Sequence, residues 1–243
     1  MHEAERKPHA ALDLHRRRMK GQKIERLLGL GNKPETQRLL EIGAGSGGIS
    51  HYFGTQASGR FEVDAVDVHD SRQVTEGYRF ELVEGVQLPF SDNSFDVVQS
   101  NHVIEHVGSD SEQATHLAEI RRVMKPEAVG YLAVPSRWML VEPHYRLALL
   151  SWWPEPWRNR WLRLWGKGNF YDCRPMSCGD LEQRLSAAGF RFEQLHAEAL
   201  RATFETERPD AFFWKYLLRF VPDSMLTLVR HVFPTLIYRL HKA

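Results

Sequence analysis

Short apolar runs alternate with segments of helical period along most of this 243-residue chain. Apolar and β-branched runs predict strands near residues 38–42, 61–66, 79–83, 95–99 and 129–134. Helical spacing predicts helices near residues 10–29, 46–54, 111–124 and 181–188. A further strand pair, predicted to be antiparallel, begins at residues 189–193. Strands that alternate with helices in this way favour a parallel sheet with helices on both faces.

An insertion at about residues 136–176 interrupts this alternation. It contains six of the seven tryptophans, and Trp157, Trp161 and Trp165 recur every four residues, which predicts a helix with these rings on one face. Between His144 and Phe170 there are five Lys or Arg residues and one Glu. Aromatic and cationic side chains together suit a membrane interface or an anionic lipid headgroup. The alternative is a cover over the substrate that packs its tryptophans on the core.

The last segment, at about residues 208–243, is predicted to be a C-terminal amphipathic helical extension. Its apolar residues recur at helical spacing, at Met225, Val229, Val232, Leu236 and Leu240. Pro222 and Pro234 would divide or kink such a helix. The extension could anchor the protein at a surface, or pack against the domain or a second subunit. Its length and charge exclude a membrane-spanning helix.

The strand near 38–42 breaks into glycines, and this run fits two nucleotide-binding patterns. Gly43, Gly45 and Gly48 match G-x-G-x-x-G, whereas Glu41 followed by Gly43, Gly45 and Gly47 gives the acidic-x-G-x-G-x-G order of a methyl-donor site. A pyrophosphate would be repelled by Glu41. S-adenosylmethionine carries a cationic sulfonium and ammonium, so the acidic residue favours the second pattern.

The next strand ends in Asp67, 24 residues after Gly43, which is near the spacing expected for ribose recognition. A carboxylate can accept hydrogen bonds from two vicinal hydroxyls at once. The alternative is a solvated Asp at a strand end.

Further motifs follow, namely Leu88-Pro89-Phe90 with Ser94-Phe95-Asp96, and the run from Ser100 to Val107. With the glycine run and Asp67, they resemble the class I S-adenosylmethionine-dependent methyltransferases, in the type 11 branch that includes quinone-biosynthesis, small-molecule and lipid methyltransferases. The resemblance covers residues 38 to about 135. It implies a Rossmann-like, doubly wound α/β fold with a seven-stranded sheet in the order 3-2-1-4-5-7-6, mostly parallel with an antiparallel edge strand, in a single domain over residues 1–243.

The resemblance also implies S-adenosylmethionine as the cofactor and assigns residues to its parts. Glu41 and the backbone of Gly43, Ala44 and Gly45 would hold the methionine moiety, and Asp67 would bind the ribose hydroxyls. Gly47 and Val68 are further expected cofactor-binding residues. The adenine would contact Glu84, Gly85 and Val86, where the family commonly has Asp-Ala in place of Glu84-Gly85, and the longer Glu puts this contact in doubt. Ser100 and Asn101 would place their backbone near the methionine end.

Substrate would enter near His102, Glu105 and His106. A poorly nucleophilic acceptor needs a general base, and His106 is the first candidate, with His102 and His144 as the others. Because the chain has 12 histidines, a purely structural placement is the alternative for each.

The expected function is methyl transfer to an O or N atom of a small-molecule or lipid-linked acceptor. A nicotinamide-dependent oxidoreductase and a non-catalytic partner-binding protein with the same fold are the alternatives. Glu41 opposes the first, and the intact glycine run with Asp67 opposes the second.

Composition bears on the partners, the need for a metal ion and the location of the protein. A net charge of +1 and a sequence pI near 7.9 do not favour nucleic acid as a partner. Cys173 and Cys178 are expected to be reduced thiols, and no metal-ligand pattern is evident, so activity is expected in chelator. The residues at the start lack the apolar core of a signal peptide, so a cytoplasmic protein is expected, as a monomer or a homodimer.

Overall fold

The structure is a computed structural model, and it describes residues 13–31, 35–142, 145–171, 173–207, 210, 216 and 220–243. The strands are β1 (Gln37–Ile42), β2 (Phe61–Asp67), β3 (Arg79–Leu82), β4 (Phe95–Asn101), β5 (Met124–Pro135), β6 (Val141–Glu142), β7 (Leu147–Ala148), β8 (Phe190–Gln194) and β9 (Thr235–Lys242). The helices are α1 (Leu14–Leu28), α2 (Gly48–Gly54), α3 (Asp110–Val123), α4 (Glu155–Leu164), α5 (Cys178–Ala187), α6 (His196–Glu207) and α7 (Asp223–Leu228).

Seven of these strands form one sheet in the order β3-β2-β1-β4-β5-β9-β8. The first five positions are parallel, and β9 runs antiparallel to both of its neighbours, β5 and β8. Since β8 and β9 are the sixth and seventh strands of this sheet along the chain, the order is 3-2-1-4-5-7-6, which confirms the expected fold. The antiparallel strand lies one position inside the edge, and β8 is the edge strand.

Helices cover both faces of the sheet. On one face α1, α2 and α6 bury an apolar cluster that includes Ile24, Phe53 and Ala199. On the other face α3 and α5 bury a second cluster that includes Leu117 and Leu181. Because each buried strand carries apolar side chains on both faces, the sheet is the centre of a doubly wound α/β domain.

Local signals fix where several helices begin and end. Asp13 caps α1 by accepting a hydrogen bond from the Arg16 amide, and Gly29, with φ of 63°, ends the helix in the left-handed conformation. Ser109 and Glu112 form a capping box at the start of α3. The predicted helix at 10–29 is therefore observed from residue 14 to residue 28, and its expected start lies outside the described residues.

The prediction of a helical tail is wrong for residues 235–242, because these residues form β9 in the central sheet. Leu236, Tyr238 and Leu240 are buried on one face of the strand. A spacing of four residues is common to one turn of a helix and to two steps of strand alternation, so Leu236 and Leu240 alone fit both. In residues 221–234 the helical segments are the short helix α7 and a 3₁₀ turn at Arg230–Val232.

The strand predicted near 129–134 begins earlier, since β5 starts at Met124 directly after α3. Its long pairing with β4 shifts register between Phe95 and Val97. Lys125 extends this contact, because its ammonium lies 2.9 and 2.8 Å from the two carboxylate oxygens of Asp96. Met124-Lys125-Pro126 is therefore the first part of β5.

The insertion leaves the sheet at the end of β5 and returns at Met176, which forms a bridge with Ser136. It contains the β6–β7 hairpin, a 3₁₀ turn at Leu150–Trp152 and α4. A small separate cluster, including Leu150, Leu162 and Tyr171, forms its interior. Cys173 and Cys178 are buried, and no disulfide joins them. Within the described part of the chain, no helix is long and apolar enough to cross a membrane.

Candidate active site

The glycine run joins β1 to α2 in a tight turn over the end of β2. The amides of Gly43 and Ala44 donate to the Val66 carbonyl at 2.8 and 3.1 Å. Gly43 has φ of 81°, and a Cβ added there would collide with the side chain of Val103. Both the backbone conformation and the available space therefore require glycine at this position.

Asp67, the last residue of β2, lies beside this turn. Its Oδ2 accepts a hydrogen bond from the Gly45 amide at 2.8 Å, and its Oδ1 accepts one from the His69 amide at 3.3 Å. The residue is half-buried. The structure thus brings the acidic end of β2 into direct contact with the glycine turn.

Glu41 lies beneath the turn. It is 3% exposed, and the Ser50 hydroxyl on α2 donates a hydrogen bond to its Oε2. Burial raises the pKa of Glu41 to about 7, although the Ser50 hydrogen bond and the charge of Arg17 act in the opposite direction. The carboxyl group therefore titrates near neutral pH, and a cation held close to the turn would favour its ionised form.

The residues expected at the adenine follow β3. Glu84 and Gly85 are exposed, and Val86 is half-buried. Gly85 has φ of 70°, and a Cβ added there would meet open space. This loop is thus accessible at the same edge of the sheet as Asp67.

Two exposed aliphatic side chains lie between that loop and the carboxylate. Val68 directly follows Asp67 and is 43% exposed, and Leu82, the register partner of Asp67 in β3, is 60% exposed. Apolar surface next to a carboxylate that can bind a diol suits a nucleoside. Leu82 was not predicted as a site residue, although its position at the end of β3 is the signal that could have indicated it.

The Leu88-Pro89-Phe90 segment is fixed by α3. The guanidinium of Arg122 donates to the carbonyls of Phe90 and Leu88 at 2.6 and 2.9 Å, and it binds Glu119 at 2.7 Å and Asp92 at 2.9 Å. The Leu88 amide donates to Glu119 at 2.8 Å. This network holds the connection between β3 and β4, and with it the loop at residues 84–86.

The end of β4 lies across from the glycine turn. Ser100 is buried, and its Oγ is 3.2 Å from Nε2 of His116 on α3. Burial lowers the pKa of His116 to about 4, so this imidazole is neutral at physiological pH. Asn101 is half-buried, and its Oδ1 is a buried atom without a hydrogen-bond partner among the described residues.

His116 was missed by the sequence analysis. It lies on the buried face of α3 together with Gln113, Leu117 and Ile120. A histidine in the apolar stripe of a helix is the only sequence signal for it, and such a residue is usually a core side chain.

His102 and Glu105 form a close pair directly after β4. Nδ1 of His102 lies 3.2 Å from Oε1 of Glu105, and Glu105 is 1% exposed. His102 has φ of 59°, a left-handed conformation that is strained for a residue with a side chain. A buried carboxylate that orients an imidazole is the arrangement of a general base and its positioning residue.

The other two histidine candidates are placed differently. His106 ends the 3₁₀ turn at Ile104–His106 and is half-buried. Its amide donates to the Val103 carbonyl at 2.8 Å. His144 lies outside the described residues. No group of three or more His, Cys, Asp or Glu side chains suited to a metal ion occurs within the described ranges.

The insertion is attached to this region. The Arg174 amide donates to the Glu105 carbonyl at 3.0 Å, and the Arg174 guanidinium donates to the Gly108 carbonyl at 2.9 Å. The Ser136 amide in turn donates to the Pro234 carbonyl at 3.0 Å. The loop after β4, the insertion and the segment before β9 therefore meet at one edge of the sheet.

Comparison with known proteins gives a family match over residues 40–132, described as a methyltransferase domain. A curated relative, the glycine/sarcosine/dimethylglycine N-methyltransferase of Actinopolyspora halophila, is 33% identical over 115 residues, which are 43% of this chain and 20% of the relative. The chain thus aligns with about a fifth of that protein's length.

Solved structures share the fold over nearly the whole chain. A Burkholderia thailandensis 1,6-didemethyltoxoflavin-N1-methyltransferase, with bound 1,6-didemethyltoxoflavin and S-adenosylhomocysteine, has a TM-score of 0.51 at 17% identity and is matched over 95% of this chain and 80% of its own. The cyclase SpnF has a TM-score of 0.53 at 17% identity, over 97% of this chain and 83% of its own. At these identities the likeness shows the fold alone.

Proposed function

Because the chain carries a class I S-adenosylmethionine-dependent methyltransferase domain of the type 11 branch, we propose that it moves a methyl group from S-adenosylmethionine to an oxygen or nitrogen atom of a small-molecule or lipid-linked acceptor. One observation carries this proposal. The Asp67 carboxylate is hydrogen-bonded to the Gly45 amide, which joins the diol-binding position to the glycine turn at the carboxyl edge of the sheet.

The residues present fit this cofactor. Asp67 offers acceptor oxygens for a ribose diol, and the exposed Val68 and Leu82 offer apolar surface for an adenine ring. Glu41, under the turn, would favour a cationic ligand there. The buried, unpartnered Oδ1 of Asn101 would accept a hydrogen bond from an ammonium group. These residues would hold the nucleoside and methionine parts of the cofactor.

When bound, S-adenosylmethionine supplies an electrophilic methyl carbon, and transfer breaks the C–S bond with its electron pair going to sulfur. The task of the protein is then to hold the acceptor atom in line with that bond, which is a positioning effect. The loop after β4 and the insertion, tied together by Arg174 and Glu105, form the surroundings of the acceptor.

We propose His102 as the general base for a hydroxyl acceptor. With Nδ1–H donating to Glu105, Nε2 becomes the basic nitrogen and takes the acceptor proton as the new bond forms. Glu105 is then a positioning residue, which fixes the tautomer without touching the substrate. His106, at the end of the same 3₁₀ turn, remains the alternative base.

Binding of S-adenosylhomocysteine, measured by calorimetry, is the first test. Asp67→Asn keeps the size of the side chain and removes its charge, so binding should weaken by about tenfold or more, since hydrogen bonds to a charged group contribute about 1.5–3 kcal/mol. Wild-type protein that binds NADH instead of S-adenosylhomocysteine would overturn the assignment in favour of the oxidoreductase.

Transfer itself is tested with methyl-labelled S-adenosylmethionine and a cell extract split into membrane and soluble fractions. Label should enter one fraction with wild-type protein and be lost with Asp67→Asn. Cofactor binding without labelled product in either fraction would contradict methyl transfer. This outcome is informative because the cyclase SpnF has a similar fold, so the fold alone does not establish methyl transfer.

The choice of base is tested with His102→Asn and His106→Asn. For a hydroxyl acceptor, the first should lower kcat by about a hundredfold with little change in cofactor affinity, and the second should not. Glu105→Gln should shift the pH profile of kcat. A large loss of kcat only in the His106 variant would reverse the assignment.

A further inference from the structure

The insertion exposes an unusual amount of apolar surface. Trp157 and Trp165 are 54% and 57% exposed, and Leu164 between them is 76% exposed. Further exposed large apolar residues in this segment are Leu140, Val141, Leu149, Trp152, Trp153 and Phe170. Large contiguous apolar patches on a protein surface mark sites of interaction, whereas isolated ones do not.

The indole rings are held in place by one another. The rings of Trp153 and Trp157 stack with centroids 6.2 Å apart, Trp161 lies 5.3 Å from Trp153, and Trp165 lies 6.0 Å from Trp161. Leu162, on α4, is fully buried in the small core of the insertion, and the half-buried Trp161 packs against that core. Trp157 and Trp165 are therefore exposed members of a row of contacting tryptophans that Trp161 anchors to the insertion.

Basic residues accompany these rings. The exposed charges in residues 145–171 are Arg146, Arg160, Arg163 and Lys167 against the single acidic Glu155. The guanidinium of Arg160 lies 5.7 Å from the ring centroid of Trp157. The acidic Glu155 is paired with a further cation, since its carboxylate lies 3.8 Å from the Arg174 guanidinium. The surface is thus both aromatic and cationic.

A second exposed apolar segment joins the first at the same edge of the sheet. Phe220 and Leu228 are 70% and 80% exposed, and Met225, Val229 and Val232 are also exposed. The segment is connected to the start of the insertion through Ser136, whose hydroxyl donates to the His231 carbonyl at 3.1 Å. Both apolar segments therefore lie beside the edge at which β1 and β4 end.

We propose that this edge docks on an anionic lipid bilayer, with α4 lying in the interface and Trp157, Leu164 and Trp165 inserted among the headgroups. Tryptophan and arginine are the residues that membrane interfaces favour, and clusters of cations attract anionic lipid. A second copy of this chain is a poorer occupant, because a two-fold interface would set the four cations against their own copies.

Docking would place the carboxyl edge of the sheet, where the cofactor is proposed to bind, at the membrane surface. The acceptor is then a lipid, or a lipid-linked molecule, whose nucleophilic headgroup atom reaches the site without leaving the bilayer. This second part rests on the proposed methyl transfer, whereas docking itself does not.

The test is sedimentation of the full-length protein with vesicles of phosphatidylcholine and phosphatidylglycerol, and with vesicles of phosphatidylcholine alone. The protein should sediment with the anionic vesicles, and binding should weaken as salt is raised. Arg160→Gln with Arg163→Gln should lower the binding constant by roughly 25-fold, since each lost cation near an anionic surface costs about fivefold. Arg191→Gln, on the exposed edge strand β8, is the matched control and should bind as wild type.

Trp157→Ser with Trp165→Ser tests insertion separately from charge and should reduce binding on the order of tenfold or more. Equal binding by wild type and this double variant, or no binding of wild type to anionic vesicles, would overturn the proposal. A wild-type dimer that this double variant converts to a monomer would assign the surface to a second copy instead.

Binding of S-adenosylhomocysteine to the same samples separates the two proposals. A variant that loses vesicle binding but keeps cofactor binding supports docking, and wild type that binds vesicles but not cofactor contradicts only the methyl transfer. Methyl label confined to soluble products would contradict the lipid acceptor and leave the docking result unchanged.

Discussion

Replacing Glu41 with Gln should stabilise the cofactor-free protein at alkaline pH. Glu41 is 3% exposed, and burial raises its pKa from 4.5 to about 7. A carboxyl group whose pKa is higher in the folded than in the unfolded state stabilises the fold fully below the unfolded value. That contribution is lost as the pH rises through the folded value.

The size of the loss follows from the shift. A difference of about 2.5 pKa units, at about 1.4 kcal/mol for each, amounts to about 3 kcal/mol between acidic pH and about pH 8. Glu41→Gln is neutral throughout and keeps an oxygen that can accept the Ser50 hydrogen bond. The variant should therefore match wild type near pH 4.5 and exceed it by about 3 kcal/mol at about pH 8.

Urea denaturation of both proteins across this pH range measures the difference directly. Glu81→Gln, a replacement of an exposed carboxylate on β3, controls for the loss of one negative charge. A difference between Glu41→Gln and wild type that does not change with pH would refute the assignment of the raised pKa to buried Glu41.

Cofactor affinity should change in the opposite direction. If Glu41 faces the methionine end of the cofactor, its ionised form attracts the sulfonium, so Glu41→Gln should bind S-adenosylmethionine about tenfold more weakly at about pH 8. Binding to wild type should release protons near neutral pH, because the cation favours the ionised form. If Glu41→Gln is more stable than wild type but binds S-adenosylmethionine equally well, Glu41 affects the stability of the glycine turn and does not contribute to cofactor binding.

Three further changes test the site. Gly43→Ala should abolish measurable binding of S-adenosylhomocysteine, because its Cβ would collide with Val103 at a positive φ. Adding Val103→Ala should restore part of this binding. Binding by Gly43→Ala equal to that of wild type would contradict the geometry of the turn. His116 has a depressed pKa in the folded state, so it stabilises the fold above pH 6.5 and this stability is lost as the pH falls. Between about pH 7 and pH 4, the free energy of unfolding from urea denaturation should therefore fall by about 3 kcal/mol less for His116→Gln than for wild type. Parallel pH dependences of the two proteins would contradict this assignment. Arg122→Met should lower the free energy of unfolding by about 2 kcal/mol and weaken cofactor binding, because it leaves the Leu88 and Phe90 carbonyls unpaired. An unchanged midpoint of urea denaturation would show that the Arg122 hydrogen bonds do not stabilise this segment.

The strands that could be predicted from the sequence are those that end in a recognisable local motif. The run that ends in Gly43 and the strand that ends in Asp67 are local motifs, and their contact follows from the pairing of adjacent parallel strands. The tail could not be assigned from spacing, because Leu236 and Leu240 fit a helix and a strand equally. Its pairing with β5 depends on contacts with residues about a hundred positions away.

The same distinction applies within the site. His102 and His106 were indicated by their position after β4, but the burial of Glu105 and its contact with His102 depend on how the chain folds over that edge. The pairing of His116 with Ser100 requires α3 to lie across β4. Neither the local sequence nor the helical period contains that information.

The carboxyl edge of the sheet explains why these features occur together. In parallel strands the ends of β1, β2 and β4 lie side by side, so the residues proposed to bind the cofactor and the loop after β4 lie at the same edge of the sheet. The insertion after β5 and the exposed segment before β9 reach that edge through Ser136. In the proposed function, the strand ends bind the cofactor and the insertion determines which acceptor is methylated. On this protein the insertion is aromatic and cationic, so the acceptor proposed for it is one that a membrane presents.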